Sequence, residues 1–270
     1  MSVGGMGVAR LLGRNIAYSA SPAMHAAAFR ELGLAHRYEL ADVAADELPA
    51  AIDALRAPGV LGANVTVPHK AAVLALLDQV EPLAAEAGAV NTIVRRDGAL
   101  AGSNSDIPAI AAEIAQLCAR AHGRAVVLGS GGAARAVAIA LDRLGWEPAT
   151  LVSRSAGDRA AHWSDLPALL GRADLLVNAT PVGTAAEESP MPVDLLRRDL
   201  AVLDLVYRPS PTKLVRDARS VGALASAGAG VLLGQGWRSL EAWLGTQLPD
   251  RARRAMAAAL RDELGPHADV

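Results

Sequence analysis

The fold of this 270-residue chain is decided by the stretch Ala125-Val-Val-Leu-Gly129-Ser130-Gly131-Gly132-Ala133-Ala134. Its four apolar residues predict a short buried strand, and its glycines predict a tight turn into a helix. Gly129 permits the turn, Gly131 lets backbone N–H groups approach a pyrophosphate, and Ala134 stands where the pattern has its third glycine. The helix N-terminus then offers N–H groups and a positive dipole end to phosphates. The stretch therefore predicts a dinucleotide-binding unit.

The end of the next strand distinguishes the two common dinucleotides. A site for NAD usually has an acidic residue there, which binds the ribose hydroxyls. This chain has Ser153-Arg154-Ser155 instead. Arg154 can bind the extra phosphate of NADP through charge-assisted hydrogen bonds, and Arg159 is a second candidate. The pattern predicts NADP as the cofactor.

Strand-like and helix-like segments alternate along the chain, which predicts an α/β protein with largely parallel sheet. Before the glycine loop we predict strands at 8–12, 36–41, 60–67 and 90–95, and a hairpin at Asp97-Gly98. After it we predict strands at 150–153, 173–179 and 201–206, and mainly helix from Gly228 onward. The character of the sequence changes near Asp106, which is the expected domain boundary.

Composition excludes several classes of protein. Lys+Arg 26 against Asp+Glu 28 gives a net charge of −2, so no basic field exists to attract nucleic acid. Cys118 is the only cysteine, which excludes an intramolecular disulfide and cysteine zinc sites and fits a reducing, cytoplasmic location. The uncharged stretch 220–237 contains five glycines and predicts a buried segment of a soluble protein, not a membrane span. No histidine pair has metal-ligand spacing, so we expect no metal.

Polar residues of the first half lie where predicted strands end, which is where α/β proteins usually build their sites. Ser19 and Ser21 place two hydroxyls beside a helix start, a suitable cradle for a carboxylate. Capping of the helix by Ser21 is the simpler explanation, but it does not account for Ser19. Asn64 and Thr66 share one face of the strand at 60–67.

Lys70 is predicted in the first turn of a helix over His69–Leu77, where the helix dipole disfavours a cation. That placement suggests a functional reason for the lysine. Asn91 and Asp106 follow the next strand and the hairpin, although Asp106 has an alternative role as the N-cap of the following helix.

Together these residues belong to a series of motifs that runs in order over nearly the whole chain and resembles the shikimate dehydrogenases, NADP-dependent enzymes of the shikimate pathway. The motifs are Ser19-Ala-Ser21-Pro22, Asn64-Val-Thr66-Val-Pro68-His-Lys70, Gly88-Ala-Val-Asn91-Thr92, Asn104-Ser-Asp106, Gly129-Ser-Gly131-Gly132-Ala133, Ser153-Arg154-Ser155, Asn178-Ala-Thr180-Pro-Val-Gly183, Asp204-Leu-Val-Tyr207-Arg-Pro209 and Leu232-Leu-Gly-Gln235.

The resemblance implies a reversible, NADPH-dependent reduction of 3-dehydroshikimate to shikimate in aromatic amino acid (chorismate) biosynthesis. It also implies two α/β domains with the active site in the cleft between them. Residues 1–105 and 228–270 would form the substrate-binding domain, and residues 106–227 a Rossmann-like NADP-binding domain. The expected partner is the small-molecule substrate, with no nucleic acid or membrane, and the chain would be a monomer or a homodimer.

The resemblance assigns roles by matching position. Lys70 and Asp106 would be the catalytic pair. The substrate-binding residues would be Ser19 and Ser21 with Tyr207 at the carboxylate, and Asn64, Thr66, Asn91, Asp106 and Gln235 at the hydroxyls. The cofactor-binding residues would be Gly129, Ser130, Gly131, Gly132, Ala133, Ser153, Arg154, Ser155, Asn178, Thr180, Gly183 and Gly228.

Several positions depart from the family pattern. Ser105 stands where Thr is frequent, Ile107 where Gly is frequent and Ala227 where Asp is common, while Ser153-Arg154-Ser155 stands for the family's Asn-Arg-Thr and Arg159 is offset by one residue. None of them removes a catalytic group. Two alternatives stay open. One is a paralogue that acts on quinate or a related hydroxy acid, with NAD as an alternative cofactor, and the other is a catalytically silent metabolite-binding regulator on the same fold.

Overall fold

A computed structural model of the chain describes residues 5–118, 122–154, 160–184 and 187–269. It divides into two compact units. Unit 1 comprises the described residues up to Ser105 together with Gln235–Glu263, and unit 2 comprises those of Asp106–Gly234 and from Leu264 onward. Unit 1 therefore resumes at Gln235, and the domain boundary expected at Gly228 stays a prediction. The N–H of Gly228 donates to the Val206 carbonyl at 3.1 Å within unit 2.

Unit 1 is built around a six-stranded mixed sheet with the order β2-β1-β3-β5-β6-β4. The pairs of β1 with β2, β1 with β3 and β4 with β6 are parallel, and the pairs around β5 are antiparallel. Its elements before Ser105 are β1 Val8–Gly13, α1 Ser21–Glu31, β2 Arg37–Asp42, α2 Leu48–Asp53, β3 Val60–Val65, β4 Gln79–Val80, α3 Pro82–Ala87, β5 Thr92–Arg96 and β6 Ala99–Ser103.

The hairpin between β5 and β6 forms at the predicted residues. Asp97 and Gly98 have φ of 51° and 87°, the two positive values that a tight two-residue turn of this kind requires. The turn sets the register that pairs Thr92 with Ser103, so Asn91 and Asn104 flank the ends of the two strands. Apolar side chains of this sheet, including Ile93 and Leu100, are fully buried in the core of the unit.

The helix predicted over His69–Leu77 is wrong. Residues 67–71 form a turn, and only a short 3₁₀ helix, Ala72–Leu76, follows. The Lys70 carbonyl accepts a hydrogen bond from Val90 N at 2.8 Å, a long-range contact that takes the place of a helical bond. Lys70 therefore does not lie in the first turn of an α-helix, and the helix-dipole argument does not apply to it.

Unit 2 contains a six-stranded, fully parallel sheet with the order β12-β11-β10-β7-β8-β9. Its elements are α4 Asp106–Leu117, β7 Ala125–Leu128, α5 Gly132–Arg143, β8 Thr150–Ser153, β9 Ala161–His162, α6 Leu166–Leu170, β10 Leu175–Asn178, β11 Ala201–Asp204, α7 Lys213–Ser220 and β12 Ala225–Ala227. Two long helices, α8 Ala229–Leu244 and α9 Asp250–Leu264, complete the chain.

The strand order of unit 2 reverses between β7 and β10. From β7 the chain adds β8 and β9 on one side, and it then returns to add β10, β11 and β12 on the other. This is the order of doubly wound nucleotide-binding sheets, in which ligands bind beyond the carboxyl ends of the strands at the reversal. The segments that leave β7 and β10 at this point begin with Gly129 and Ala179.

The predicted strands at 8–12 and 150–153 and the helix after the glycine loop are confirmed to within a residue or two, whereas α7 and the short strands β4, β9 and β12 were not predicted. In the part of the chain that the structure describes, no helix combines the length and hydropathy needed to cross a membrane. The uncharged stretch 220–237 forms β12 and the first half of α8.

Candidate functional site

The glycine loop has the geometry of a phosphate cradle. Gly129 has a φ of +112°, and a Cβ there would lie 3.1 Å from the Ala179 carbonyl oxygen, so the turn requires glycine. Gly131 is the N-cap of α5, and no side chain caps this helix. A Cβ at Gly131 would have no protein atom within 4 Å among the described residues. The space in front of the first turn of α5 is therefore open to a ligand.

This open space is part of a cavity of about 690 Å³ in unit 2. Six predicted cofactor residues line it: Gly129, Ser130, Gly131, Ser153, Arg154 and Thr180. Trp163 and Val182 also line it, and neither was predicted from the sequence. Trp163 follows β9 at the rim of the cavity, and nothing in the local pattern distinguishes it from a core tryptophan.

The other predicted cofactor residues lie close by in the chain. Gly132 and Ala133 form the first turn of α5, Asn178 ends β10 and Gly183 closes the segment after it. Ser155 and Arg159 lie outside the described residues. Gly228 has a packing role, because a Cβ there would lie 2.2 Å from the Leu205 carbonyl oxygen. A contact between Gly228 and a cofactor stays a prediction.

The cavity fits a dinucleotide that carries an additional phosphate. Arg154 is exposed directly after β8, the strand end at which such a phosphate would be recognised, and the same strand end offers Ser153. The other charged side chain among the described lining residues is Glu188. The uncapped start of α5 suits the pyrophosphate.

A second set of polar residues lies in unit 1, at the start of α1. The Ser19 hydroxyl oxygen accepts a hydrogen bond from the N–H of Ser21 at 3.3 Å. The prediction that Ser21 is the N-cap is wrong, because the Ala20 carbonyl accepts the first helical bond from Met24 N at 3.3 Å. Ser21 is thus the first residue of the helix, and the role of Ser19 and Ser21 as a carboxylate cradle stays a prediction.

Asn91 has its side-chain orientation fixed by three donors. Its Oδ1 accepts from Ser105 N at 2.7 Å, from Ser105 Oγ at 3.1 Å and from Thr92 Oγ1 at 3.0 Å. The Asn91 residue is 2% exposed, and its Nδ2 donates to no other group among the described residues. The surroundings therefore present an N–H donor for a ligand oxygen. The serine at position 105 supplies the hydroxyl that threonine supplies in the family pattern.

Asn64 has protein partners on both of its polar atoms. Its Oδ1 accepts from Tyr38 Oη at 2.9 Å, and its Nδ2 donates to Ser239 Oγ at 2.8 Å and to the Asn91 carbonyl at 3.1 Å. A direct contact between Asn64 and substrate stays a prediction, and these bonds favour a positioning role. Tyr38 and Ser239 were not found from the sequence, because a lone buried hydroxyl leaves no local pattern.

His25 packs beneath this cluster. Its ring stacks on that of Tyr38 with centroids 4.1 Å apart, and its Nδ1 lies 2.9 Å from the Ser21 carbonyl oxygen. Burial lowers the pKa of His25 to about 4, so the ring is neutral at physiological pH. The ring therefore has a packing role, and it supports the phenol that orients Asn64.

The remaining predicted residues belong to both units. Thr66 and Lys70 are half-buried in unit 1, where Gln235 is buried on α8 and its carbonyl accepts from Ser239 Oγ at 2.9 Å. Asp106, the first residue of α4, and Tyr207, which follows β11, are half-buried in unit 2. The pairing of Lys70 with Asp106 stays a prediction.

Lys70 is notable for its residue type. Of the 26 basic residues in the chain, only Lys70 and Lys213 are lysines. Lys213 pairs with Asp217 one helical turn away at 2.7 Å. The ammonium group of lysine can release a proton within the pH range in which proteins work, whereas the guanidinium group of arginine stays charged. The choice of lysine at position 70 therefore fits a residue that transfers a proton. No cluster of three or more potential metal ligands occurs in the described ranges.

Comparison with known proteins gives consistent similarities. The profile of the family described as "Shikimate dehydrogenase substrate binding domain" matches residues 11–93. A shikimate dehydrogenase (NADP(+)) of Symbiobacterium thermophilum is 41% identical, and the alignment covers 94% of each chain. The solved shikimate 5-dehydrogenase of Thermus thermophilus, in complex with NADP(H) and shikimate, is 37% identical with a TM-score of 0.83 and covers 94% of this chain and 100% of its own. A quinate dehydrogenase of Corynebacterium glutamicum in complex with NAD is 28% identical, with a TM-score of 0.84 over 94% of this chain and 99% of its own.

Proposed function

The chain belongs to the shikimate dehydrogenase family, and we propose that it catalyses the reversible, NADP-dependent interconversion of shikimate and 3-dehydroshikimate. It is an oxidoreductase that acts on a CH–OH group, and NADP is its cofactor. The observation that carries the proposal is the cavity of unit 2. Three separate motifs, represented by Gly131, Arg154 and Thr180, line one space at the reversal of strand order.

Reduction of the ketone needs a hydride for the carbon and a proton for the oxygen. NADPH, when bound, supplies the hydride. Lys70 supplies the proton and stabilises the negative charge that develops on the oxygen. Asp106, the second member of the predicted catalytic pair, accepts a hydrogen bond from the reacting hydroxyl. In the reverse direction the same lysine, as the neutral amine, takes the hydroxyl proton.

Substrate recognition follows from the polar groups of unit 1. The hydroxyls of Ser19 and Ser21 bind the substrate carboxylate, and Tyr207 of unit 2 stays a predicted further ligand of that carboxylate. Asn91 donates through Nδ2, because its Oδ1 is already held by Ser105 and Thr92. Thr66 and Gln235 complete the set at the substrate hydroxyls. Fixed donors of this kind add specificity, since a substrate lacking the matching oxygen leaves a buried N–H unpaired.

Initial rates with the four pairs of shikimate or quinate and NADP or NAD test the proposal. We expect NADPH formation from shikimate with NADP to have the highest kcat/KM. The quinate dehydrogenase neighbour makes quinate with NAD the specific competing pair. A higher kcat/KM with that pair would assign the chain to the quinate branch. Binding of both ligands without turnover in any pair would favour the silent regulator.

The location and assembly of the protein remain proposals. A cytoplasmic location is consistent with the single cysteine, and burial raises the pKa of Cys118 to about 11, which keeps its thiol protonated at neutral pH. We expect a monomer or a homodimer, which light scattering coupled to size exclusion would distinguish.

A further inference from the structure

Asp204 is a buried carboxylate to which the proposed reaction gives no role. It ends β11 and is 1% exposed. Asn178 Nδ2 donates to its Oδ1 at 2.8 Å and Val206 N donates to the same oxygen at 3.0 Å, while Thr212 Oγ1 donates to Oδ2 at 2.7 Å. Charge-assisted hydrogen bonds of this kind are among the strongest in proteins, so the carboxylate fixes the positions of its donors.

Asn178 connects this carboxylate to the nucleotide cavity. Its Oδ1 accepts from Thr180 Oγ1 at 2.7 Å and from Thr180 N at 3.1 Å, and its Nδ2 also donates to the Val182 carbonyl at 3.2 Å. Thr180 Oγ1 in turn accepts from Val182 N at 3.3 Å. Thr180 and Val182 both line the cavity. The wall that follows β10 is thus held by one amide.

The orientation of that amide depends on Asp204. A carboxylate only accepts hydrogen bonds, so it selects the Nδ2 end of Asn178 and leaves the Oδ1 end for Thr180. Without the carboxylate, Nδ2 keeps only its longer hydrogen bond to the Val182 carbonyl at 3.2 Å, so the amide is held less firmly and the two donors of Thr180 lose a well-fixed acceptor. Loss of the Asp204 carboxylate should therefore also loosen Thr180 and Val182 in the wall of the cavity.

We propose that Asp204 is a positioning residue for the dinucleotide: through Asn178 it holds Thr180 and Val182 in the place where they form the wall of the cavity. The inference rests on the proposed function, since it takes the cavity to bind NADP. Burial raises the pKa of Asp204 to about 6, so the carboxylate is ionised at neutral pH and available as an acceptor.

The first test is calorimetric titration of NADP⁺ into the wild-type protein and the Asp204→Ala variant, with thermal unfolding of both. The expected result is a Kd raised by about tenfold or more, since a buried hydrogen-bond partner is removed. An unchanged Kd would overturn the inference, even with a lowered Tm, because Asp204 would then serve only the stability of the sheet.

Asp174→Ala is the matched control. Asp174 precedes β10 at its opposite end, and its Oδ2 accepts a structural hydrogen bond from Arg124 N at 2.9 Å. Its loss should lower the Tm and leave the Kd for NADP⁺ unchanged. A Kd weakened as much as in Asp204→Ala would overturn the inference, because general loosening of the unit would then explain both results.

Two further variants test whether Asp204 acts on NADP⁺ binding through its hydrogen bond to Asn178 or through its charge. Asp204→Asn keeps an oxygen for Asn178 and Val206, so it should bind NADP⁺ nearly as well as wild type, and it tests the proposal even if Asp204→Ala does not fold. A Kd as weak as that of the alanine variant would contradict the positioning role. Asn178→Ala combined with Asp204→Ala should bind no more weakly than Asn178→Ala alone, whereas additive losses would show that Asp204 acts independently.

The binding results for wild type and for Asp204→Ala distinguish an error in this inference from an error in the proposed function. If wild-type protein does not bind NADP⁺, the proposed function is wrong and the inference falls with it. If wild type binds NADP⁺ and Asp204→Ala binds it equally well, only the positioning role is wrong.

Discussion

Tyr38 Oη donates a hydrogen bond to Asn64 Oδ1 at 2.9 Å, and this bond determines which end of the Asn64 amide faces the polar cluster of unit 1. With its oxygen occupied, Asn64 directs Nδ2 to Ser239 and to the backbone of Asn91. Asn91 then has its own Oδ1 held by Ser105 and Thr92, and its Nδ2 left for substrate. Tyr38, which the sequence did not single out, therefore begins the series of contacts that leads through Asn64 to Asn91, a predicted substrate-binding residue.

Tyr38→Phe should raise the KM for shikimate about three- to tenfold with little change in kcat, because it removes one hydrogen bond to a buried amide and keeps the ring that stacks on His25. Steady-state kinetics at saturating NADP measures the change. Asp78→Ala is the control: Asp78 accepts hydrogen bonds from Arg56 and Leu100 in the same unit, so its loss should reduce stability only. An equal rise of KM in both variants would contradict a specific role for Tyr38.

Lys70→Ala should lower kcat by about 10²- to 10⁴-fold, with a smaller change in the KM for shikimate, because the proton donor is lost and the binding groups remain. Lys213→Ala removes the only other lysine, which pairs with Asp217 on α7, and should leave kcat unchanged. A near-normal turnover number in Lys70→Ala would remove this residue from the mechanism.

Arg154→Ala should weaken NADP binding about ten- to a hundredfold and leave NAD binding nearly unchanged, because the guanidinium recognises only the extra phosphate. Titration with each nucleotide measures the two Kd values. Arg172→Ala, an exposed arginine of the same unit outside the cavity lining, serves as the control. Parallel losses for NADP and NAD would argue against phosphate recognition by Arg154.

The free energy of unfolding should depend on pH in a way that reflects the ionisation of Asp204. Burial raises the pKa of this carboxyl from 3.8 to about 6. Between these values the folded state holds a proton that the unfolded chain has released, so this group increases stability as the pH falls through about 6 toward 4. From pH 7 to pH 5, the free energy of unfolding of wild type should rise by about 1 kcal/mol relative to Asp204→Asn, which lacks this proton. Denaturant unfolding of both proteins measures the difference, and a difference independent of pH would refute the assignment.

The features predicted correctly from the sequence are those that neighbouring residues determine. Asp97-Gly98 fixes the hairpin because both residues must adopt positive φ, and Gly129 fixes the turn after β7 for the same reason. The motif around Arg154 follows a strand whose bounds were predicted correctly, so its placement at the rim of the cavity followed from chain order.

The features missed are those that depend on distant partners. The helix predicted at Lys70 is absent because the Lys70 carbonyl bonds to Val90, which periodicity around residue 70 does not indicate. Asp204 draws its donors from Asn178 and Thr212, which lie on other elements. Ser239 is one hydroxyl on the inner face of α8, and only the fold shows that it contacts Asn64.

The most direct test of the central claim is identification of the product formed from shikimate and NADP⁺ by the purified protein. The account predicts that 3-dehydroshikimate and NADPH appear in equal amounts, and that adding NADPH to 3-dehydroshikimate reverses the reaction. Release of a different product, or no NADPH at saturating concentrations of both ligands, would contradict it.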